Sequence, residues 1–264
     1  MSSSLAEAVA SIGWYHTFEL PGGVVTPGLF DHRRVVDRLL LPTDMTGLRC
    51  LDAASADGFF AFEMKRRGAD EVISLDVDDT SRRDWQGSPS ETSRDRPDNG
   101  RATRAFNIVR EATGLDVERV DLSLYDISER ELGRFDLVFL GNVLLHLRNP
   151  QAVLHAIHGV TDGEFVSYEA ISLVDTILHP FRPAGRLYDG PPASQWWTPN
   201  LVGHRHLLSI SGFDVVEKSG VLRQPFGPGA PRSRFPRRPR QVGHALFTRP
   251  LGAPSSCLRS RPRG

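Results

Sequence analysis

The segment 50-CLDAASADGFFAFEMKRRGA-69 decides the fold class of this chain. An apolar run ends in Asp52, small residues follow, and Gly58 stands directly before a segment with helical periodicity. Such a strand–turn–helix unit is typical of an open α/β sheet that binds a nucleotide cofactor beyond the carboxyl ends of its strands. The usual turn pattern is acid-x-Gly-x-Gly-x-Gly, and here Ala54 and Ala56 replace two glycines. Alanine fits such a turn if its φ stays negative. A plain turn in an unrelated sheet is the alternative.

Further apolar runs and helical patterns alternate on either side of this unit. We predict strands at 48–52, 71–76, 117–121, 135–140, 164–170, 213–219 and 244–249, and helices at 59–67, 104–113, 150–158 and 201–210. Strand and helix alternation predicts a doubly wound, Rossmann-like and mostly parallel sheet of seven strands. The last two strands have no helix between them, so we expect an antiparallel C-terminal hairpin at the edge of the sheet.

The domain organisation follows from the segments that break this alternation. We predict an N-terminal cap segment at 1–30, one α/β domain at 31–250 and a disordered, Arg-rich tail at 251–264. Two irregular segments inside the domain, 80–103 and 175–199, are predicted to be lid loops. The first is polar and the second is aromatic.

A second acid supports the cofactor interpretation. Asp76 ends the second predicted strand, 24 residues after Asp52, where an acid commonly accepts hydrogen bonds from ribose hydroxyls. The alternative is a turn or helix-capping acid within 76-DVDD-79. Two acids at neighbouring strand ends favour a cofactor that contains a nucleoside. They do not distinguish NAD from S-adenosylmethionine.

Composition sets the broad class. Hydrophobic residues make up 39% of the 264 residues and charged residues 24%, as in soluble globular proteins. No apolar run reaches membrane-spanning length, so we expect no membrane partner. No secretory signal is apparent and the two cysteines predict no disulfide framework, so we expect a cytoplasmic protein. Residues 221–264 hold ten Arg and no acid. Such a segment pairs well with phosphates, and the alternative is a disordered tail of biased composition.

Several segments together resemble a known family. Residues 51–69 and 135-FDLVFLGNVLLHLRNPQAVL-154 resemble class I S-adenosylmethionine-dependent methyltransferases. More narrowly, 14-WYHTFELPGGVVTPG-28, 123-SLYD-126, 168-YEAISL-173 and 196-WWTPNLVGHRHLLSISGF-213 resemble the branch named for tRNA wobble-uridine (5-hydroxyuridine) methyl- and carboxymethyltransferases. The match runs from about Trp14 to Thr248 and does not specify the substrate.

The resemblance implies S-adenosyl-L-methionine as the cofactor and a set of residues that bind it. The turn from Asp52 to Gly58 would approach the methionine moiety, Asp76 the ribose, and Ser123 with Leu124 the adenine. The implied cofactor-binding residues are Asp52, Ala54, Ala56, Asp57, Gly58, Asp76, Ser123, Leu124, Gly141 and Asn142.

Methyl transfer mainly requires that donor and acceptor be aligned and that water be excluded, so no metal is predicted. An acceptor O–H or N–H can also need a general base, and His16, His146 and Glu169 are the candidates, each with a purely structural role as the alternative. The predicted acceptor wall consists of Tyr15, Tyr188, Trp196, Trp197 and Asn200, whose aromatic members could equally serve to bury an irregular loop.

Three functions remain open at this stage. The first is a methyltransferase that acts on an oxygen or nitrogen of a small-molecule acceptor, such as a secondary metabolite. The second is a tRNA-modifying methyltransferase, favoured by the branch resemblance and the arginines. The third is a non-catalytic cofactor-binding protein, suggested by Ala54 and Ala56. An NAD-dependent oxidoreductase fits less well. The acceptor atom and the oligomeric state are not specified.

Overall fold

The structure is a computed structural model that describes residues 2–84, 100–188, 195–230 and 252–264. In chain order the strands are β1 (Trp14–His16), β2 (Glu19–Leu20), β3 (Val24–Val25), β4 (Gly28–Phe30), β5 (Arg49–Ala53), β6 (Glu71–Asp76), β7 (Glu118–Asp121), β8 (Phe135–Gly141), β9 (Thr161–Ala170), β10 (Gly185–Leu187), β11 (Trp197–Pro199), β12 (Phe213–Gln224) and β13 (Ala253–Pro262). The α-helices are α1 (Ser2–Ala10), α2 (Phe59–Arg66), α3 (Arg101–Thr113), α4 (Glu129–Leu132), α5 (Pro150–Val160), α6 (Leu173–Leu178) and α7 (Leu201–Ile210).

Seven of these strands form one twisted sheet in the order β12-β13-β9-β8-β5-β6-β7. The five strands β9, β8, β5, β6 and β7 run parallel to one another. β13 runs antiparallel to both of its neighbours, β9 and β12. The prediction of a doubly wound, mostly parallel seven-stranded sheet with antiparallel C-terminal strands is therefore confirmed. The carboxyl ends of β5, β6 and β8 meet at one edge of the sheet, and this edge positions the candidate site.

The last strand of the sheet lies in the segment that the sequence analysis predicted to be a disordered tail. The predicted strand 244–249 lies outside the described residues, and β13 is built from 253-APSSCLRSRP-262, within the segment predicted to be a disordered tail. β13 lies between β9 and β12, and Ser255, Ser256 and Cys257 are fully buried there. The ordered domain thus includes residues after 250. β13 carries no alternation of apolar and polar residues, so its pattern did not indicate a strand.

The two predicted lid loops are only partly irregular. In 80–103, residues Thr80–Arg82 form a 3-10 helix and α3 begins at Arg101, while 85–99 lie outside the described residues. The segment 175–199 holds the end of α6 and the antiparallel pair β10–β11, while 189–194 lie outside the described residues. No helix of the described chain is long and apolar enough to cross a bilayer.

Helices cover both faces of the sheet, with one apolar cluster on each side. The cluster below α2 and α3 includes Phe62 and Phe106 and extends to the N-terminal segment through Trp14. The cluster below α5 and α7 includes Leu154 and Leu208. Residues 14–30 pair with one another through β1–β4 and β2–β3 and pack against α2, where the Phe18 and Phe59 ring centres lie 5.5 Å apart. The N-terminal segment is therefore anchored next to the turn that follows β5.

Candidate cofactor and acceptor site

The turn after β5 adopts left-handed backbone at two alanines. Ala54 has φ 63° and Ala56 has φ 50°, and Gly58, which precedes α2, has φ 89°. The condition of negative φ, under which alanine fits such a turn without strain, is therefore not met at either position. A left-handed residue with a Cβ costs roughly 1–2 kcal/mol. The turn is held by other groups, because Ser55 N donates to Leu75 O at 2.9 Å and Ala56 N donates to Asp76 Oδ2 at 2.7 Å.

A cavity of about 530 Å³ opens above this turn, at the carboxyl ends of β5, β6 and β8. It is lined by nine of the ten residues predicted to bind the cofactor: Asp52, Ala54, Ala56, Asp57, Asp76, Ser123, Leu124, Gly141 and Asn142. Gly58 does not line it and instead begins α2, where a Cβ would meet the Phe106 ring at 2.7 Å. These residues are up to 90 positions apart in the sequence and line one cavity, whose volume lies in the usual range of small-molecule and cofactor sites.

Two carboxyl groups at the base of the cavity differ in environment. Asp52 is 1% exposed, and burial raises its pKa to about 7, although the N–H of Ala61 donates to its Oδ2 at 2.9 Å. Asp76 accepts from the N–H groups of both Ala56 and Val77, and Arg83 lies 3.7 Å from its Oδ1. Asp76 therefore keeps lone pairs for a ligand while it fixes the turn.

The opposite wall is the segment after β8. Asn142 has φ 53°, and its Oδ1 is buried without a hydrogen-bond partner in the described part of the chain. An orphaned acceptor on a cavity wall is a group that a donor from a ligand would satisfy. His146 lines the same wall. Among the described residues, no cluster of three or more His, Cys, Asp or Glu is arranged to hold a metal ion.

Glu169 lies behind this wall rather than on it. Its Oε1 accepts from the N–H of Val143 at 3.4 Å and its Oε2 accepts from the N–H of Leu144 at 3.1 Å. Burial raises the pKa of this carboxyl well above its usual value. Glu169 thus supports the turn at 142–144 through both of its oxygens.

The N-terminal segment closes the cavity from above through Tyr15 and His16. Asp57 accepts hydrogen bonds from the backbone N–H groups of both residues and from the His16 ring. Burial and the Asp57 carboxylate both raise the pKa of the Tyr15 hydroxyl. The oxygens of Asp57 thus bind this segment, whereas the resemblance implied that Asp57 binds the cofactor.

The structure does not place Tyr188, Trp196, Trp197 or Asn200 on the cavity wall. The indole N–H of Trp196 donates to Asp84 O at 3.0 Å and that of Trp197 donates to Leu147 O at 3.3 Å, so both support cavity-lining peptides from outside. Asn200 is a buried N-cap of α7, because its Oδ1 accepts from Gly203 N at 2.6 Å. The main chain of Tyr188 instead donates to Trp196 O.

Sequence reasoning missed three arginines on the cavity wall, Arg82, Arg83 and Arg101. They stand in or next to the polar segment 80–103, which has no periodicity from which an orientation could be derived. Arg82 pairs with Asp121 at 2.7 Å. Phe60, on α2, also lines the cavity and was not among the predicted site residues. An aromatic residue next to the turn was the available signal for it.

Comparison with solved structures supports this fold at low sequence identity. The N-terminal domain of EvdMO1 with bound S-adenosylhomocysteine superposes with a TM-score of 0.56 and 15% identity, covering 99% of this chain and 97% of that domain. A putative S-adenosylmethionine-dependent methyltransferase from Listeria monocytogenes gives 0.51 and 12%, covering 88% and 98%. Burkholderia thailandensis 1,6-didemethyltoxoflavin-N1-methyltransferase, with its acceptor and S-adenosylhomocysteine bound, gives 0.50 and 15%, covering 99% and 79%. No family model and no curated protein matches the chain. The chain has the fold of S-adenosylmethionine-dependent methyltransferases.

Proposed function

We propose that this chain is an S-adenosylmethionine-dependent methyltransferase that transfers a methyl group to an oxygen or nitrogen of a small-molecule acceptor. The observation that carries the proposal is the convergence of nine predicted cofactor residues on one cavity at the carboxyl edge of the sheet. Structural neighbours that share the fold have S-adenosylhomocysteine bound, and one of them also has 1,6-didemethyltoxoflavin bound.

The residues of the cavity fit such a cofactor. Asp76 offers carboxylate lone pairs at the end of β6, Asn142 offers an unpartnered buried oxygen, and Asp52 is an acid near the turn. A bound S-adenosylmethionine would supply a methyl carbon made electrophilic by a sulfonium charge. The chain's own contribution is to hold the two reactants in line and to keep water out, which can account for a large part of the rate of such a displacement.

Acceptor access is set by the wall of Tyr15, His16, Asn142 and His146. The lining of the cavity also includes the Phe60 and Phe139 rings, so it combines aromatic rings with groups that donate or accept hydrogen bonds. A planar acceptor with an ionisable O–H or N–H suits such a mixed surface. We place the reaction in the cytoplasm, for which the two free cysteines are the support.

The experiment is calorimetric titration of the purified chain with S-adenosylmethionine, S-adenosylhomocysteine and NAD. Micromolar binding of the first two and none of the third is the expected result. Binding of NAD alone, or of none of the three, contradicts the proposal. Transfer of a labelled methyl group to a panel of phenols, catechols and aromatic amines then distinguishes an enzyme from a cofactor-binding protein that does not turn over.

The tRNA-modifying function is retained as the second candidate because of the sequence resemblance to that branch. Deletion of residues 221–264, the arginine-rich part of the chain, is not a suitable test, because it would also remove β13 and the end of β12 from the sheet. Arg259 and Arg261 are already paired with Glu164 at 3.2 and 3.0 Å. The full chain should therefore be compared with a variant in which Arg234, Arg237, Arg238 and Arg240 are changed to Gln, by tRNA retention at several salt concentrations. Equal retention of tRNA by both, or none at low salt, argues against a tRNA substrate held by these arginines.

A further inference from the structure

Asp57 joins the cofactor turn to the N-terminal segment by three hydrogen bonds. Its Oδ2 accepts from the backbone N–H of Tyr15 at 2.8 Å and of His16 at 2.9 Å, and its Oδ1 contacts Nδ1 of the His16 ring. Asp57 is 2% exposed and His16 is 4% exposed. The pair is therefore shielded from bulk water, where a charge-assisted hydrogen bond is stronger than at the surface.

This contact fixes which ring nitrogen of His16 carries a proton. A carboxylate oxygen only accepts, so Nδ1 must donate to it, and the neutral ring then has its free lone pair on Nε2. Within the described part of the chain Nε2 has no hydrogen-bond partner, and His16 lines the cavity beside Asp52 and Asn142. Nε2 is thus the nitrogen of His16 that is available to a ligand.

Two acids, a second histidine and two phenylalanine rings surround the His16 ring. Asp57 contacts it from the turn before α2, and Asp52 lies at the end of β5 on the same cavity. His32 faces it with ring centres 5.0 Å apart, and burial lowers the pKa of His32 well below its usual value, so His32 stays neutral. The rings of Phe59 and Phe60 pack at 5.4 and 5.7 Å. The imidazolium that forms when Nε2 gains a proton therefore contacts the Asp57 carboxylate, and these neighbours include no second cation.

We propose that His16 is the proton acceptor for the acceptor substrate and that Asp57 is the positioning residue that orients it, an inference that rests on the proposed methyltransferase function. The acceptor is then a neutral hydroxyl or N–H compound. Its proton moves to Nε2 of His16, and its oxygen or nitrogen forms the new bond to the methyl carbon. The electron pair of the broken carbon–sulfur bond stays on sulfur. The imidazolium, stabilised by Asp57, later returns its proton to solvent.

Glu169 is less suited to this step. Both of its oxygens accept from the main chain at 143–144, and this residue does not line the cavity. His146 also lines the cavity, from the 3-10 helix Leu144–His146 that follows β8. His16 combines access to the cavity with a buried carboxylate partner, Asp57.

The test compares the wild type with His16→Gln, Asp57→Asn and the control Thr17→Val, each as the full chain. Thr17 follows His16 in sequence, is fully buried, and its hydroxyl has no partner within the described residues, so its replacement tests for general disturbance of the segment. Calorimetry with S-adenosylhomocysteine first establishes that each variant keeps the cavity. The tautomer of His16 is then determined from the ring ¹⁵N chemical shifts of the complex with S-adenosylhomocysteine. The signals of His16 are assigned as those that are absent from the spectrum of His16→Gln.

The expected result is a proton on Nδ1 and a bare Nε2 in the wild type and Thr17→Val, and loss of this preference in Asp57→Asn. Methyl transfer to phenol should fall by about 10²- to 10⁴-fold in His16→Gln and Asp57→Asn. Transfer to pentafluorophenol, which is already ionised at neutral pH, should fall far less. A proton on Nε2 of the wild-type complex overturns the proposal, as does an equal loss with both phenols. Failure of the wild type to bind S-adenosylhomocysteine would instead contradict the proposed function itself.

Discussion

The backbone N–H of Ala56 donates a 2.7 Å hydrogen bond to Oδ2 of Asp76. The acid at the end of β6 therefore holds the turn after β5 in its left-handed conformation, in addition to facing the cavity. A glycine-rich turn would adopt this conformation without such help. In this chain the same carboxylate serves the turn and the proposed ribose site, which makes Asp76 the residue where both can be tested together.

Replacement of Asp76 by Ala should weaken S-adenosylhomocysteine binding by more than about tenfold, because a hydrogen bond to a charged group contributes roughly 1.5–3 kcal/mol and the turn also loses its support. Isothermal titration measures the affinity. Asp214→Asn is the control, since Asp214 lies on the surface and pairs only with Arg263 in the described chain. Equal affinities for Asp76→Ala and the control would show that Asp76 holds no part of the cofactor.

Ala56→Gly should make the protein slightly more stable. Glycine removes the strain of the left-handed alanine, which costs about 1 kcal/mol. It also makes the unfolded chain more flexible, which lowers the free energy of unfolding by about 0.4–1 kcal/mol. The net change in the free energy of unfolding is therefore small and not negative. The same change at Ala156, inside α5, should cost about 1 kcal/mol. Urea unfolding of the two variants measures both. Similar losses at both positions would contradict the strained turn.

Asp52→Asn should flatten the pH dependence of stability. Between about pH 4 and pH 7 the folded protein keeps a proton on Asp52 that the unfolded chain has released, because burial raises the pKa from 3.8 to about 7. The stability of the wild type therefore decreases as pH rises through this window, by at most about 4 kcal/mol from this group. The difference in free energy of unfolding between wild type and variant should be small at pH 4 and largest above pH 7. Denaturant unfolding across this range checks it, and parallel curves would argue against a buried, protonated Asp52.

Glu169→Gln and Glu169→Ala should differ in stability. Gln keeps one oxygen that can accept from one of the two N–H groups of Val143 and Leu144, whereas Ala leaves both without an acceptor and opens a cavity. An unsatisfied buried donor costs about 1–3 kcal/mol, so we expect a loss of about 1–3 kcal/mol for Gln and of more than about 3 kcal/mol for Ala. Thermal unfolding of both variants provides the measurement. A Gln variant as unstable as the Ala variant would contradict the supporting role.

Removal of residues 252–264 should prevent folding, because β13 pairs with both β9 and β12. The arginines of this strand should matter far less. Arg261→Ala removes an ion pair with Glu164 that is worth no more than about 1 kcal/mol. Arg263→Ala removes an ion pair with Asp214 and hydrogen bonds to the carbonyl oxygens of Ser209 and Phe213, so we expect a loss of about 1–2 kcal/mol. Circular dichroism and solubility distinguish the shortened chain from the two point variants. A folded shortened chain would mean that β13 is dispensable.

The parts of the fold that were predictable are those in which a residue and its role are close in sequence. Asp52 and Asp76 each end an apolar strand, so chain continuity alone brings them to the carboxyl edge of the sheet. The turn between β5 and α2 is local in the same way. His16 was a candidate because of its segment, but the Asp57 contact spans 41 positions and has no local signal.

β13 shows why the rest was not predictable. Its buried serines are satisfied by distant partners: Ser256 Oγ lies 2.7 Å from the His204 ring, and Ser260 Oγ donates to Phe165 O at 3.1 Å. A run of serines and arginines is typical of an exposed segment, and its burial becomes understandable only when those partners are known. The prediction that Asn200, Trp196 and Trp197 belong to the acceptor wall differs from the structure for a related reason. Their polar atoms hold main-chain groups, and aromatic or amide composition alone does not distinguish this from ligand contact.

The position of β13 also constrains how the chain can fold while it is being synthesised. β9 ends at residue 170, yet its neighbour in the sheet is completed only by residue 262, more than 90 positions later. Until that segment leaves the ribosome, one side of β9 presents unpaired main-chain groups at the edge of a hydrophobic sheet, a surface prone to aggregation. The nascent protein therefore depends on a late, long-range pairing, which is a slow kind of folding step.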